Sequence, residues 1–204
     1  LVDCNSFYVS CERLFNPKIR KVPVVVLSNN DGCVISRSTE AKVLGIKMGE
    51  PAFKIKNVVE KYNVNVFSTN FALYGDLSKR VMNTFRTEVN KMEVYSIDEA
   101  FLDFSDLADK ERAIQIKKKV QMWTGIPVSI GIAKTKTLAK VANHIAKKYT
   151  KAGVFMFDDE DLIRRALNVF PVEDLWGIGK KHAKRLKEVG ICTALQFRET
   201  DTGW

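Results

Sequence analysis

The sequence predicts a mixed α/β protein that ends in a small all-α segment. Three observations carry this. Short apolar or β-branched runs alternate with longer stretches of helical spacing. Hydrophobic residues make up 46% and aromatics 10%, enough for a packed core. From Ile163 onward the strand-like runs stop and the pattern becomes helical with short loops.

In chain order, Leu1–Cys4 reads as a short strand leading into a helix around Tyr8–Leu14. Pro23–Leu27 (PVVVL) is a compact β-branched run, expected to be a buried strand. Ser28–Gly32 (SNNDG) is turn chemistry. Ser38–Leu44 predicts a helix with Gly45 as its stop. Leu77, Val81 and Phe85 give helical spacing to Tyr74–Lys91, and Val94–Phe104 reads as two strands interrupted at Asp98-Glu99. Residues 107–123 have a helical period, Val128–Ala133 is a strand, Leu138–Lys148 a helix and Gly153–Phe157 a short strand. Asp158–Asp161 is a linker or a helix start.

Composition narrows the function. Lys+Arg number 33 against 24 Asp+Glu, a net charge of +9 that suits a polyanionic partner. Four cysteines with no C-x-x-C pair, and only two histidines, argue against a zinc site and for reduced thiols. No apolar run approaches membrane-spanning length. Both ends read as cut, so a fragment is expected.

Four features carry chemistry. Asp98 and Glu99 interrupt an apolar strand pair, and a hairpin turn could set both on one rim. Close carboxylates repel, and a divalent cation relieves that repulsion. Taken alone, these two residues are read more simply as an exposed acidic turn. Asp3 interrupts a separate apolar strand and would complete a set of hard oxygen ligands of the kind Mg²⁺ prefers. Lys136, Lys140, Asn143 and Lys147 follow one another at spacings of four, three and four, so they are expected on one helix face, opposite a stripe of Leu138, Val141, Ala142 and Ile145. Gly177-Ile178-Gly179, followed by Lys180 and Lys181, fits a tight turn whose N–H groups could bind phosphate, the pattern of a helix-hairpin-helix. A solvated helix face is the simpler reading of the lysine row, whereas a purely structural helical hairpin is the lesser alternative for the glycine turn.

Together these segments resemble the Y-family translesion DNA polymerases of the UmuC-like branch. The likeness runs from Val2-Asp3-Cys4-Asn5-Ser6-Phe7-Tyr8 through Pro23–Ile35, Glu40-Ala41-Lys42, Leu44–Gly49, Ser96–Phe101 and Gly131–Lys140 to the Gly177-Ile178-Gly179 turn. The resemblance implies an α+β fold. A ferredoxin-like palm would occupy 1–10 and 67–154, small fingers 11–66, and a partial all-α thumb with a helix-hairpin-helix 155–204, with the little finger absent. It implies Asp3, Asp98 and Glu99 as catalytic metal carboxylates, with the Cys4 backbone carbonyl as a further ligand to two Mg²⁺ ions that Mn²⁺ could replace. Tyr8 would be the steric gate against a 2′-hydroxyl, and Phe7 and Lys147 would meet the triphosphate. Many relatives carry a Tyr and, three residues on, an Arg in the fingers; Thr39 and Lys42 stand there in this chain. Lys42 supplies charge without a bidentate fork. Ser36 and Arg37 would share the nucleotide contact. Lys136, Lys140, Gly177, Gly179, Lys180 and Lys181 would face DNA.

The function so implied is template-directed addition of a dNTP to a primer 3′-hydroxyl in error-prone, SOS-type repair. Primer-template DNA and dNTP would be its substrates. A processed UmuD-like dimer, the RecA filament and a sliding clamp would be partners, in the bacterial cytoplasm and at the nucleoid. Two other readings stay open: a nucleotidyl cyclase on a related palm, and a non-catalytic DNA-binding scaffold.

Overall fold

The computed structural model describes residues 1–104 and 109–201. Residues 105–108 and 202–204, which fall inside the expected palm and thumb ranges, lie outside the described residues. The chain divides into two compact units. One comprises residues 2–106 and 115–128, the other residues 1, 107–114 and 129–204.

The first unit opens with β1 (Val2–Cys4) and α1 (Phe7–Phe15). Then come β2 (Val24–Leu27), β3 (Val34–Arg37), α2 (Thr39–Val43), α3 (Ala52–Tyr62) and β4 (Asn65–Phe67). It closes with α4 (Phe71–Arg86), β5 (Met92–Val94) and β6 (Glu99–Leu102), and with most of α5 (Lys110–Thr124), which runs from one unit into the other.

Two sheets organise this unit. In one, β6 pairs antiparallel with both β5 and β1. In the other, β2 lies between antiparallel β3 and parallel β4. All four residues of β2 are buried, as a strand covered on both faces requires. Val25, Leu27, Val34, Ala41, Ile46, Ile55 and Val64 form the core around it. Ser38 caps α2, its hydroxyl accepting from the Ala41 N–H at 3.1 Å. Helix α1 packs against α4, β2 and β3.

The strands β3 and β4 and the helix α3 are additions to the sequence reading, which left those segments unassigned. Helix α3 buries Ile55 alone among its residues and is studded with lysines, so its apolar spacing is faint. Strand β4 is three residues long and exists through pairing with β2.

The second unit holds β7 (Val128–Ile132), α6 (Lys136–Tyr149) and β8 (Val154–Met156), then α7 (Glu160–Val169), α8 (Lys180–Glu188) and α9 (Ala194–Glu199). Strands β7 and β8 are parallel, with α6 as the crossover between them. The helix is seated on the strand at Gly131. A Cβ there would stand 2.2 Å from the Asn143 nitrogen and 2.4 Å from the Ala139 carbonyl oxygen, so only glycine fits. Asp159 caps α7, its carboxylate accepting from the Leu162 N–H at 2.7 Å, which makes the acidic stretch a helix start. A core of Val141, Ala142, Phe157, Ile163, Leu167, Phe170, Leu186 and neighbours joins the helices.

Candidate active site

The carboxylates are placed by strand register. Asp3 on β1 lies directly opposite Glu99 on β6, as Val2 lies opposite Ala100. Opposed residues of an antiparallel pair share a face, with Cβ atoms about 4.5–5.5 Å apart. Asp3 is buried, at 9% exposure. A buried carboxylate facing another is a costly arrangement unless cations or donors compensate it.

Asp98 ends the β5–β6 turn, and the turn is bolted from several sides. The Cys4 N–H donates to the Asp98 carbonyl at 2.9 Å, fastening the turn to β1. The Tyr95 and Ser96 N–H groups both donate to the Glu99 carbonyl, at 3.0 and 3.1 Å. The Ser96 hydroxyl donates to the Asp98 carboxylate at 2.7 Å and accepts from the Asp98 and Glu99 N–H groups at 3.3 and 3.1 Å. From α4, the Ser78 hydroxyl donates to the Ile97 carbonyl at 2.5 Å. Ser78 and Ser96 hold the turn, and the sequence reading gave neither a role. Ser96 could have been found as a hydroxyl two residues before Asp98, but Ser78 carried no signal.

Beside this turn stands Tyr8, in the first turn of α1. Its phenol is pushed above the ordinary tyrosine value, first by burial and then by the negative charge of Asp98. Its ring stacks on Tyr74 at a centroid distance of 4.4 Å and 17° and meets Phe71 edge-on at 6.4 Å. Phe7 is buried, its ring 5.7 Å from that of Tyr8. Lys42 is exposed on α2 and reaches the Ser6 hydroxyl at 3.4 Å, so its ammonium sits at the start of α1. Thr39 is exposed at the first position of α2.

Ser36 and Arg37 are turned toward protein groups. The buried Ser36 hydroxyl accepts from the Val9 N–H at 3.4 Å, and Arg37 donates to the Ile46 carbonyl.

The expected metal cage is not preformed. Among the described residues no three of Asp, Glu, His or Cys form a group that could hold a metal ion. The donor chemistry still fits a hard cation, because Mg²⁺ is commonly held by one or two carboxylates, with waters and substrate phosphates completing its shell. Asp3 and Glu99 could supply that pair.

The remaining predicted residues belong to the second unit. On α6, Lys136 and Lys147 are exposed, and the half-buried Lys140 places its ammonium 5.7 Å from the centroid of the Trp176 ring. Asn143 departs from the expected cation face. It is 3% exposed and donates to the Ser129 carbonyl at 2.8 Å. The close seat of α6 at Gly131 turns that position toward β7. Gly177 has φ +92°, Gly179 is the N-cap of α8, and Lys180 and Lys181 are exposed in its first turn. The segment before the turn is a three-residue 3₁₀ helix, Val172–Asp174.

Residues 2–144 match the family described as impB/mucB/samB. The chain belongs to that family. It is 50% identical over 210 residues to protein UmuC of Salmonella typhimurium, an alignment covering 99% of this chain and 49% of that one. It is 34% identical over 200 residues to DNA polymerase IV of Saccharolobus solfataricus, covering 93% of this chain and 55% of the other. The solved insertion ternary complex of Dbh DNA polymerase superposes with a TM-score of 0.81 at 30% identity, covering 94% of this chain and 57% of that one. The mixed α/β fold is thus that of these polymerase structures, and its first sheet fits a palm-like domain. The chain spans about half the length of the curated relatives it matches.

Proposed function

We propose that this chain is the catalytic portion of a translesion DNA polymerase that adds a dNTP to a primer 3′-hydroxyl. The observation that carries it is the strand register setting Asp3 opposite Glu99, with Asp98 tethered in the adjoining turn. Relatives named as DNA polymerases and a polymerase ternary complex of the same fold support the substrate class.

Asp3, Asp98 and Glu99, with the Cys4 backbone carbonyl, would hold Mg²⁺. When bound, the cation would offset charge at the reacting phosphate and favour the attacking hydroxyl. The chain's own groups do the rest. Ser96 keeps the Asp98 carboxylate oriented and Cys4 keeps the turn against β1. The Tyr8 ring blocks a 2′-hydroxyl, the Phe7 N–H and Lys42 meet the triphosphate, and Thr39 borders Lys42. Ser36 and Arg37 act indirectly, by holding α1 and the loop after α2. Lys147 is assigned to the triphosphate, and Lys136, Lys140, Gly177, Gly179, Lys180 and Lys181 to the DNA backbone.

The finer architecture belongs to the same proposal: a ferredoxin-like palm, fingers over about 11–66, and a partial thumb from about 155 whose Gly177–Gly179 turn serves as a helix-hairpin-helix. So do an SOS-type role at the nucleoid and partnership with a UmuD-like dimer, RecA and a clamp.

Primer extension by the full-length protein tests this. Asp3→Ala and Glu99→Ala should each lower extension by roughly a thousandfold or more while gel-shift DNA binding persists. Extension retained in both variants refutes the assignment.

A further inference from the structure

Tyr8 sits where α1 begins, and no side-chain cap supports the helix at that end. Ser6, the N-cap, is left-handed at φ 45° and makes no side-chain cap hydrogen bond. The ring is held instead by α4. Tyr74, with 0% exposure, stacks on it nearly parallel, and Phe71 one turn earlier meets both rings edge-on. Tyr74 is itself anchored. Its hydroxyl donates to the Glu12 carboxylate at 2.7 Å. Tyr8 and Glu12 are four residues apart on α1 and so share a face. One side chain of α4 therefore spans a full turn of α1, its ring against Tyr8 and its hydroxyl on Glu12. Burial, then the bond to Glu12, raises the Tyr74 phenol well above its ordinary value, so it stays a donor through the physiological range.

We infer that Glu12 and Tyr74 are positioning residues for sugar discrimination, a Glu12–Tyr74 buttress that keeps the Tyr8 ring from yielding. The inference rests on the proposed gate role of Tyr8 and deepens it. A steric gate rejects an extra hydroxyl only as strongly as it resists displacement. Stacked rings at this separation add about 0.5–1.5 kcal/mol of orientation-dependent attraction beyond area burial. The Glu12 bond removes the remaining freedom of the Tyr74 ring to tilt.

The test is the ratio of kcat/KM for dNTP to that for the matching rNTP, measured on the full-length protein. Tyr74→Phe keeps the ring and removes the hydroxyl; Glu12→Ala removes the acceptor. Each should lower the ratio by about five- to tenfold, the scale of one ordinary intramolecular hydrogen bond. Glu12→Gln, whose amide oxygen still accepts, should restore most of the loss. In a Tyr8→Ala background neither change should lower the ratio further. Thermal melts of each variant identify any that fail to fold, and Glu12→Ala with Tyr74→Phe gives two independent routes.

A ratio unchanged in both variants, while Tyr8→Ala lowers it, overturns the buttress and leaves the gate standing. A ratio unchanged in Tyr8→Ala overturns the gate, and the buttress falls with it. Loss of thermal stability with an unaltered ratio makes the contact purely structural and also overturns the inference.

Discussion

The two sheets of the first unit use their buried positions in opposite ways. In β2 all four residues are apolar and buried, and the helices around it close a dry core. In β1, equally buried throughout, the middle residue is Asp3, and its partner across the ladder is Glu99. Strands of similar length and burial thus carry contrary chemistry. A buried carboxylate adds nothing to packing and opposes folding through desolvation and repulsion. On the proposed function, the sheet that holds Asp3 is the one that carries chemistry, and the other carries packing alone.

The sharpest way to break this comparison is to exchange the chemistries. Val25→Asp should destabilise the protein by about 4 kcal/mol or more, because its site is fully apolar and offers no partner for a charge. Asp3→Asn should keep the melting temperature or raise it, a gain on the order of 1 kcal/mol, while abolishing extension. Thermal melts and primer extension on the two variants decide it. An Asp3→Asn variant that melts as early as Val25→Asp would make Asp3 a structural residue.

A smaller effect is expected at the turn. Ser96→Ala removes one donor and one shared acceptor from Asp98 and Glu99. It should lower stability by about 1–2 kcal/mol and extension by more than that stability loss explains. Equal effects on melting and on kcat would show the turn to be scaffolding alone.

The smallest effect separates the apolar sheet's periphery by pH. Burial works against ionisation of Glu40, but the Arg13 hydrogen bond at 2.8 Å, the hydrogen bonds from the Glu40 N–H and the Ser38 hydroxyl, and the Arg13 charge together outweigh it and hold the carboxyl below its ordinary value. A depressed folded-state pKa contributes stability that is present above the unfolded value and lost as pH falls through the folded one. The pair is partly exposed, so the contribution is below about 1 kcal/mol. Glu40→Gln should therefore flatten the acid limb of the stability profile below about pH 4.5 and leave neutral pH nearly untouched.

Much of the site was legible in the sequence because charge in an apolar run stands out. Asp3, Asp98 and Glu99 were singled out that way, and the family resemblance supplied the metal role proposed for them. What escaped depended on partners distant in sequence. Strand β4 is defined by β2 some forty residues earlier. Asn143 has the spacing of its neighbouring lysines, yet the approach of α6 to β7 turns it inward onto Ser129. Tyr74 read as the start of a helix; only the fold brings it to Tyr8 and Glu12. Periodicity reports which face a residue takes, not what that face meets. A cage of three metal ligands was likewise expected from residue types, and the register brings two of them face to face.

The seat of α6 on Gly131 bears on how this sequence can vary. The atoms crowding that position are a backbone nitrogen and a backbone carbonyl oxygen, which no rotamer change can move aside. Any single-codon change at 131 that adds a side chain must push helix and strand apart, and with them the lysines that α6 displays. Position 131 is thus closed to every residue with a side chain, by packing of backbone on backbone.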